Sequence, residues 1–266
     1  VMQAAKIPMI TPSSTDPEIT LVGDYIFRAC FMDSFQGRIM ARFAYNDLGA
    51  GTAVILTNAS EAYSLSLADF FDEGFAGQGG RVLWEGSYNG TAVDFKELLS
   101  QVKILSPDVV FVPGYSRDSG LLISQAEKME IQTVFLGGDA WGNQIADYAG
   151  DSLRGSYYSA HWHQDTPFER NKHLKRMFAK KYNISSIDNA RIPLTYDALW
   201  LMAKAVIDAG SIKKDRIRDA LSRTRGFQGA TGIISFDHNG DPFNKEASIL
   251  KFEERAWKFI KSEHPM

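Results

Sequence analysis

Val109-Val110-Phe111-Val112-Pro113-Gly114-Tyr115 decides how this chain folds. Four apolar residues, three of them β-branched, run without a polar break into a proline–glycine turn, and a phenol stands just beyond it. A strand with one wet face alternates apolar and polar side chains, whereas an unbroken apolar run suits a strand covered on both faces. The pattern recurs at Ala53-Val54-Ile55-Leu56, Arg81-Val82-Leu83-Trp84, Thr133-Val134-Phe135-Leu136 and Gly155-Ser156-Tyr157-Tyr158. Between these runs, apolar residues repeat at helical spacing: Phe95, Leu98, Leu99 and Val102, then Leu121, Leu122, Ala126 and Met129. Asp94 is placed to cap the first of these helices, and Ser119 or Gly120 to open the second. Strands alternating with helices through short turns predict right-handed βαβ units and a parallel sheet, an α/β fold.

Outside this block the rhythm changes. Helical spacing covers 168–182, 194–209 and 214–224. Strands are predicted over 232–236, 247–252 and 257–260, with Asp237-His238-Asn239-Gly240-Asp241 as a turn between them. Helices set between strand-rich regions describe a chain that leaves one lobe and returns to it. Gly77-Gln78-Gly79-Gly80 precedes a strand and is read as a turn. At the N-terminus, residues 1–6 resemble the last turn of a helix leading directly into the strand Pro8-Met9-Ile10, so the chain reads as a fragment of something longer.

Composition narrows the function. The 266 residues are 44% hydrophobic and 23% charged with a formal charge of −3, ordinary for a water-soluble globular protein. Lys and Arg form no basic stripe, which argues against nucleic acid as a partner. No apolar run approaches the roughly 20 residues that span a bilayer. Cys30 stands alone inside Phe27-Arg28-Ala29-Cys30-Phe31 and reads as a buried small hydrophobe. Asn-X-Ser/Thr triplets begin at Asn58, Asn89 and Asn183 and are frequent by chance. His161 and His163 lack a third ligand nearby, and the Asp237–Asp241 segment lacks the twelfth-position glutamate of a calcium loop, with Ser248 there instead. No metal, no cofactor and no catalytic residue is expected. With neither a phosphate loop nor a nucleophile elbow present, an enzyme is not expected either.

Tyr63, Tyr115 and Asp139 each follow a predicted strand, and ligands of open α/β sheets bind at that edge. Gly137-Gly138 lets the backbone turn sharply and lift Asp139 over it. Two phenols and one carboxylate suit an ammonium group, which needs acceptors and one negative charge when it leaves water. Ser13, Ser14 and Thr15 offer hydroxyls and backbone N–H groups to a carboxylate, just before Pro17 and Glu18 in the expected first turn of a helix. Other readings are open: Thr15 or Asp16 as a simple helix cap, Asp139 as a cap before Trp141-Gly142-Asn143, and either tyrosine as a packing residue. Together the six residues describe a receptor for a free amino acid.

Several segments in order resemble a known family. They are Pro8-Met9-Ile10-Thr11-Pro12-Ser13-Ser14-Thr15, Phe27-Arg28 with Gln36-Gly37, Pro107-Asp108-Val109-Val110-Phe111, Tyr196-Asp197-Ala198, and Phe227-Gln228-Gly229-Ala230-Thr231-Gly232 leading to Phe236–Asp241. The chain looks like a type I periplasmic binding protein of the Leu/Ile/Val-binding class, N-terminally truncated. The resemblance implies a two-lobed α/β fold with parallel sheets flanked by helices, its N-terminal lobe incomplete. By the family's order that lobe takes 1–33 and 163–243, and the C-terminal lobe takes 34–162 and 244–266. It implies capture of a free amino acid, branched-chain-like or otherwise neutral, in an interlobe cleft, and delivery to the membrane permease of an ABC importer. Ser13, Ser14 and Thr15 would hold the carboxylate, and Tyr63, Tyr115 and Asp139 the ammonium. The implied location is periplasmic or extracellular, with a lipid anchor compatible with it in the full-length protein. A receptor's ligand-sensing domain, or a binder of an amide, sugar or aromatic acid, would use the same fold. Trp141, Trp162 and Arg191 are further positions that could shape a side-chain pocket.

Overall fold

The computed structural model describes residues 1–184 and 186–265; Ser185, the last residue of the Asn183 triplet, lies outside them. In chain order the elements begin with β1 (Met9–Thr11), α1 (Glu18–Leu21), β2 (Ile26–Arg28) and α2 (Asp33–Arg42), which runs on through a π-helical turn at Phe43–Asp47. The alternating block follows: β3 (Thr52–Asn58), α3 (Ala62–Gln78), β4 (Arg81–Tyr88), α4 (Lys96–Leu105), β5 (Val109–Phe111), α5 (Ser116–Lys128), β6 (Val134–Gly137), α6 (Ala146–Ala149) and β7 (Tyr157–Ala160). Then come α7 (Glu169–Tyr182), α8 (Arg191–Ala209), α9 (Lys214–Ser222), β8 (Phe227–Gln228), β9 (Ile233–Ile234), β10 (Ala247–Glu253) and β11 (Ala256–Glu263). Two compact units result. The first takes residues 1–32, 161–247 and the chain from Ser262 onward; the second takes 33–160 and 248–261.

The second unit holds the sheet that the apolar runs predict. Its order is β11-β10-β7-β6-β5-β3-β4, with β4, β3, β5, β6 and β7 mutually parallel and β10 antiparallel to β7. Val109–Phe111 is a central strand: Val110 registers with Val54 on one side and with Phe135 on the other. Alternate residues serve opposite faces. Val54, Leu56, Val110 and Val112 pack with Leu99 and Val102 of α4 and Leu122 and Ala126 of α5. On the other face Phe111 stacks on Phe71 of α3 at 4.2 Å. Helix α2 lies close to α3, for a Cβ on Gly37 would come within 2.9 Å of the Phe71 backbone nitrogen. Asp108 ties two strand starts together, its Oδ2 accepting from the backbone N–H groups of Gly51 and Thr52 at 3.0 and 2.8 Å.

In the first unit β1 and β2 pair in parallel, Ile10 opposite Phe27 and Thr11 opposite Arg28. Phe27, Ala29, Leu201, Ala205, Leu221, Phe227, Ile234 and Phe236 form one core; Trp162, Leu174, Ile187 and Ala230 form another.

Several local expectations shift. Residues 2–6 form turns rather than a helix end. The Gly77–Gly80 segment is not simply a turn: α3 continues through Gln78 and stops at Gly79, whose φ of +97° only glycine adopts without strain. Helix α5 opens at Ser116, ahead of Ser119. The strand predicted over 232–236 contracts to Ile233–Ile234, because Asp237 Oδ1 gathers the N–H groups of Asn239 and Asp241 into a turn. Asn58 is buried, its amide donating to Asp118 Oδ2, so that triplet is a packing feature. Cys30 is fully buried.

Candidate ligand-binding site

Tyr63, Tyr115 and Asp139 come from the C-terminal ends of three adjacent parallel strands. Tyr63 is the second residue of α3, just beyond the three-residue loop that leaves β3. Tyr115 is the extended residue immediately before α5, with φ −82° and ψ 168°. Asp139 stands two residues past β6. The expected convergence is present within the second unit. Tyr63 donates its phenolic hydrogen bond to Asp139 Oδ1 at 3.0 Å, and the two tyrosine rings lie 5.6 Å apart at 36°. Asp139 is not a helix cap: the single 3₁₀ turn nearby begins only at Asn143.

Gln36 completes this group. Its Nε2 donates to the same Asp139 oxygen at 2.9 Å, and its Oε1 lies 3.3 Å from the Tyr63 hydroxyl. The glutamine is fully buried on α2. In the sequence it stands in the Gln36-Gly37 segment, which by itself points to no role. Its signal was a polar residue at helical spacing from Asp33 and Met40, on the buried side of an amphipathic stretch. Gly138 makes room for the arrangement, since a Cβ there would fall 2.3 Å from the Tyr63 oxygen and 2.8 Å from Gln36 Oε1.

Burial, and then the negative charges of Asp139 and Asp33, hold the Tyr63 phenol well above its ordinary pKa. It therefore stays a neutral donor. Tyr158 is raised by the same two causes, burial first and Asp139 second. A carboxylate oxygen that accepts from a phenol and an amide, with a second tyrosine ring 5.6 Å from the first, has the chemistry to attract a cation of ammonium type.

Ser13, Ser14 and Thr15 form the β1–α1 loop of the first unit. Ser14 is exposed, Ser13 half-buried and Thr15 buried. Thr11 Oγ1 donates to Ser14 Oγ at 2.8 Å and accepts from Ser14 N at 3.2 Å, which closes the loop on itself. Pro17 is not within the first turn as expected but precedes α1, and α1 is only four residues long. Asp16 does the capping, its Oδ1 accepting from Glu18 N at 2.9 Å. Thr15 is thereby released from the capping role.

The two tryptophans considered as pocket residues are committed elsewhere. Trp141 is fully buried in the sheet's core and donates to Val112 O at 3.2 Å. Trp162 is buried in the first unit and donates to Asn171 Oδ1 at 3.0 Å. Arg191 opens α8. His161 packs its ring 3.7 Å from that of Phe31. Among the described residues, no group of three or more His, Cys, Asp or Glu is placed to hold a metal ion.

The sequence model of the family described as periplasmic binding protein matches residues 1–256. This chain belongs to that family. Within it, the protein is similar to the leucine-, isoleucine-, valine-, threonine- and alanine-binding protein of Pseudomonas aeruginosa, at 30% identity over 93% of this chain. The chain spans 66% of that relative's length. Among solved structures it resembles a leucine binding protein from Thermotoga maritima, with a TM-score of 0.93 and 30% identity over 99% of this chain and 75% of the other. It also resembles a branched-chain amino acid transporter substrate binding protein from Streptococcus pneumoniae in complex with isoleucine. There the TM-score is 0.88 and identity 27%, covering 99% of this chain and 74% of the other. The fold is thus that of a type I periplasmic binding protein of the Leu/Ile/Val-binding class. No described helix is long and apolar enough to cross a membrane.

Proposed function

We propose that this periplasmic binding protein captures a free neutral amino acid outside the cytoplasm and hands it to the permease of an ABC importer. The observation that carries the reading is the Asp139 carboxylate, held by Tyr63 and Gln36, with the Tyr115 ring beside that of Tyr63 at the strand ends. In this reading that group takes the ligand's ammonium. The Ser13–Thr15 loop takes its carboxylate. A branched-chain-like or other neutral side chain is favoured by similarity to a protein named for binding leucine, isoleucine, valine, threonine and alanine and to a leucine binding protein.

The same reading makes the protein a carrier rather than a catalyst, because hydrogen bonds and charge suffice to hold a zwitterion and no bond need be made or broken. A thermal-shift screen tests it, with the twenty amino acids, their carboxamides and a set of aromatic acids as separate arms. A ligand at ~100 times its dissociation constant adds about 2.7 kcal/mol. That corresponds to a rise of roughly 5–10 °C for a chain of this size. The expected result is a rise confined to a few neutral amino acids. A rise only with carboxamides or aromatic acids would overturn the amino-acid reading and leave a binding protein of different cargo.

A further inference from the structure

Arg28 is a charged side chain fully buried at the end of β2. Its Nε donates to Asp241 Oδ1 at 2.6 Å, and Thr20 Oγ1 bridges the pair, accepting from Nη2 at 3.2 Å and donating to Asp241 Oδ2 at 2.8 Å. Asp241 therefore balances the charge. The remaining N–H groups turn to one loop: Nη1 donates to the carbonyls of Ser14 and Asp16 at 3.0 and 2.8 Å, and Nη2 to that of Pro17 at 3.4 Å. Cys30, two residues on, adds a second donor to the Ser14 carbonyl, its Sγ 3.3 Å away. A guanidinium offers five donors in a rigid plane, and here most of them shape backbone.

A trans peptide points its C=O and the following N–H in opposite directions. Of the three peptides that Arg28 grips, one ends at Pro17, which has no N–H. Another leads to Glu18, whose N–H is taken by Asp16 Oδ1. The third is Ser14–Thr15. With Ser14 O drawn to Arg28 and Cys30, the Thr15 N–H faces away from the guanidinium. We infer that Arg28 is the positioning residue of the first unit's ligand loop, setting the Ser14–Thr15 peptide so that the Thr15 N–H serves the ligand's carboxylate. The inference rests on the reading of that loop given under the proposed function. Because Asp241 neutralises the guanidinium, Arg28 acts by orientation and not by adding positive charge.

Two variants test it: Arg28→Lys, which keeps the charge but loses the planar fork, and the neutral pair Arg28→Gln with Asp241→Asn, which leaves no buried ion alone. Crystal structures of both, without ligand, are expected to show the Ser14–Thr15 peptide rotated or disordered while β1 and β2 keep their pairing. An unchanged peptide in both would overturn the inference whether or not any ligand binds. Calorimetric titration with L-isoleucine and L-isoleucinamide supplies the functional readout. The unsubstituted protein should prefer the acid, and each variant should lose about 10-fold in that preference. An equal loss for acid and amide marks Arg28 as merely structural and overturns the positioning role. Failure of the unsubstituted protein to bind either probe counts against the amino-acid reading instead, and the peptide orientation alone then decides the inference.

Discussion

Lys245 shows what one buried residue can do to stability. It is fully buried in the first unit, donating to Thr231 Oγ1 at 2.6 Å and to Thr231 O at 3.1 Å. Thr231 in turn donates from its hydroxyl and its N–H to Asp197 Oδ2, and Ala230 N reaches Asp197 Oδ1. Burial pulls the ammonium down to about 8, against the opposing pull of Asp197, Cys30 and Glu246. Below pH 8 folded and unfolded chains both hold the proton. Between about 8 and the ordinary lysine value near 10.4, only the unfolded chain holds it, so stability rises with pH in that window. Urea titrations at pH 7.5 and 9.5 should show a gain of about 2 kcal/mol that is missing in Lys245→Met. Equal slopes in the two proteins would refute the buried, depressed ammonium. Tyr63 does not interfere, because a raised phenol changes stability only above about pH 10.

At the scale of elements, the site depends on how closely β6, α2 and α3 approach. Tyr63 and Gln36 arrive from two helices packed on the same face of the sheet, and Gly138 is the gap through which both reach Asp139. Gly138→Ala should push Tyr63 and Gln36 off the carboxylate. The expected loss in affinity is about 10-fold or more, from hydrogen bonds to a charged group. Overpacking would cost roughly 1–3 kcal/mol of stability. Calorimetry and denaturant unfolding measure the two separately, and unchanged affinity with reduced stability would show that the two donors do not prepare Asp139 for ligand. Strands were more legible in the sequence than helix starts. The apolar runs gave away β3, β5 and β6, whereas α2, which carries Gln36, was not read as a helix at all. Its pattern includes Gly37 and two buried polar residues, Asp33 and Gln36, which blur the apolar stripe that marks a helix.

For the molecule as a whole, the proposed function assigns Asp139 to the ligand's ammonium and the Ser13–Thr15 loop to its carboxylate. Asp139→Asn should weaken amino-acid binding roughly 30- to 5000-fold, the range for removing one partner of a desolvated charge pair. Thr15→Val, which keeps shape and loses the hydroxyl, should cost roughly 3- to 10-fold. If one bound zwitterion engages both groups, the amide of the same amino acid will feel Asp139→Asn in full and Thr15→Val little. Equal sensitivity of acid and amide to Thr15→Val would contradict the assignment of the loop to the carboxylate.

The sequence by itself determined the α/β alternation, the parallel sheet and the strand ends that carry Tyr63, Tyr115 and Asp139, because near-continuous apolar runs bounded by short turns have few other ways to bury themselves. It also carried the family's segments in order. Tertiary structure alone decided that Gln36 shares an oxygen of Asp139, that Asp16 rather than Thr15 caps α1, and that Trp141 and Trp162 belong to cores. It alone joined Arg28 and Asp241, 213 residues apart, beneath the Ser14 carbonyl. Periodicity reports which face of an element meets the core; it carries no information on which distant side chain will be waiting there.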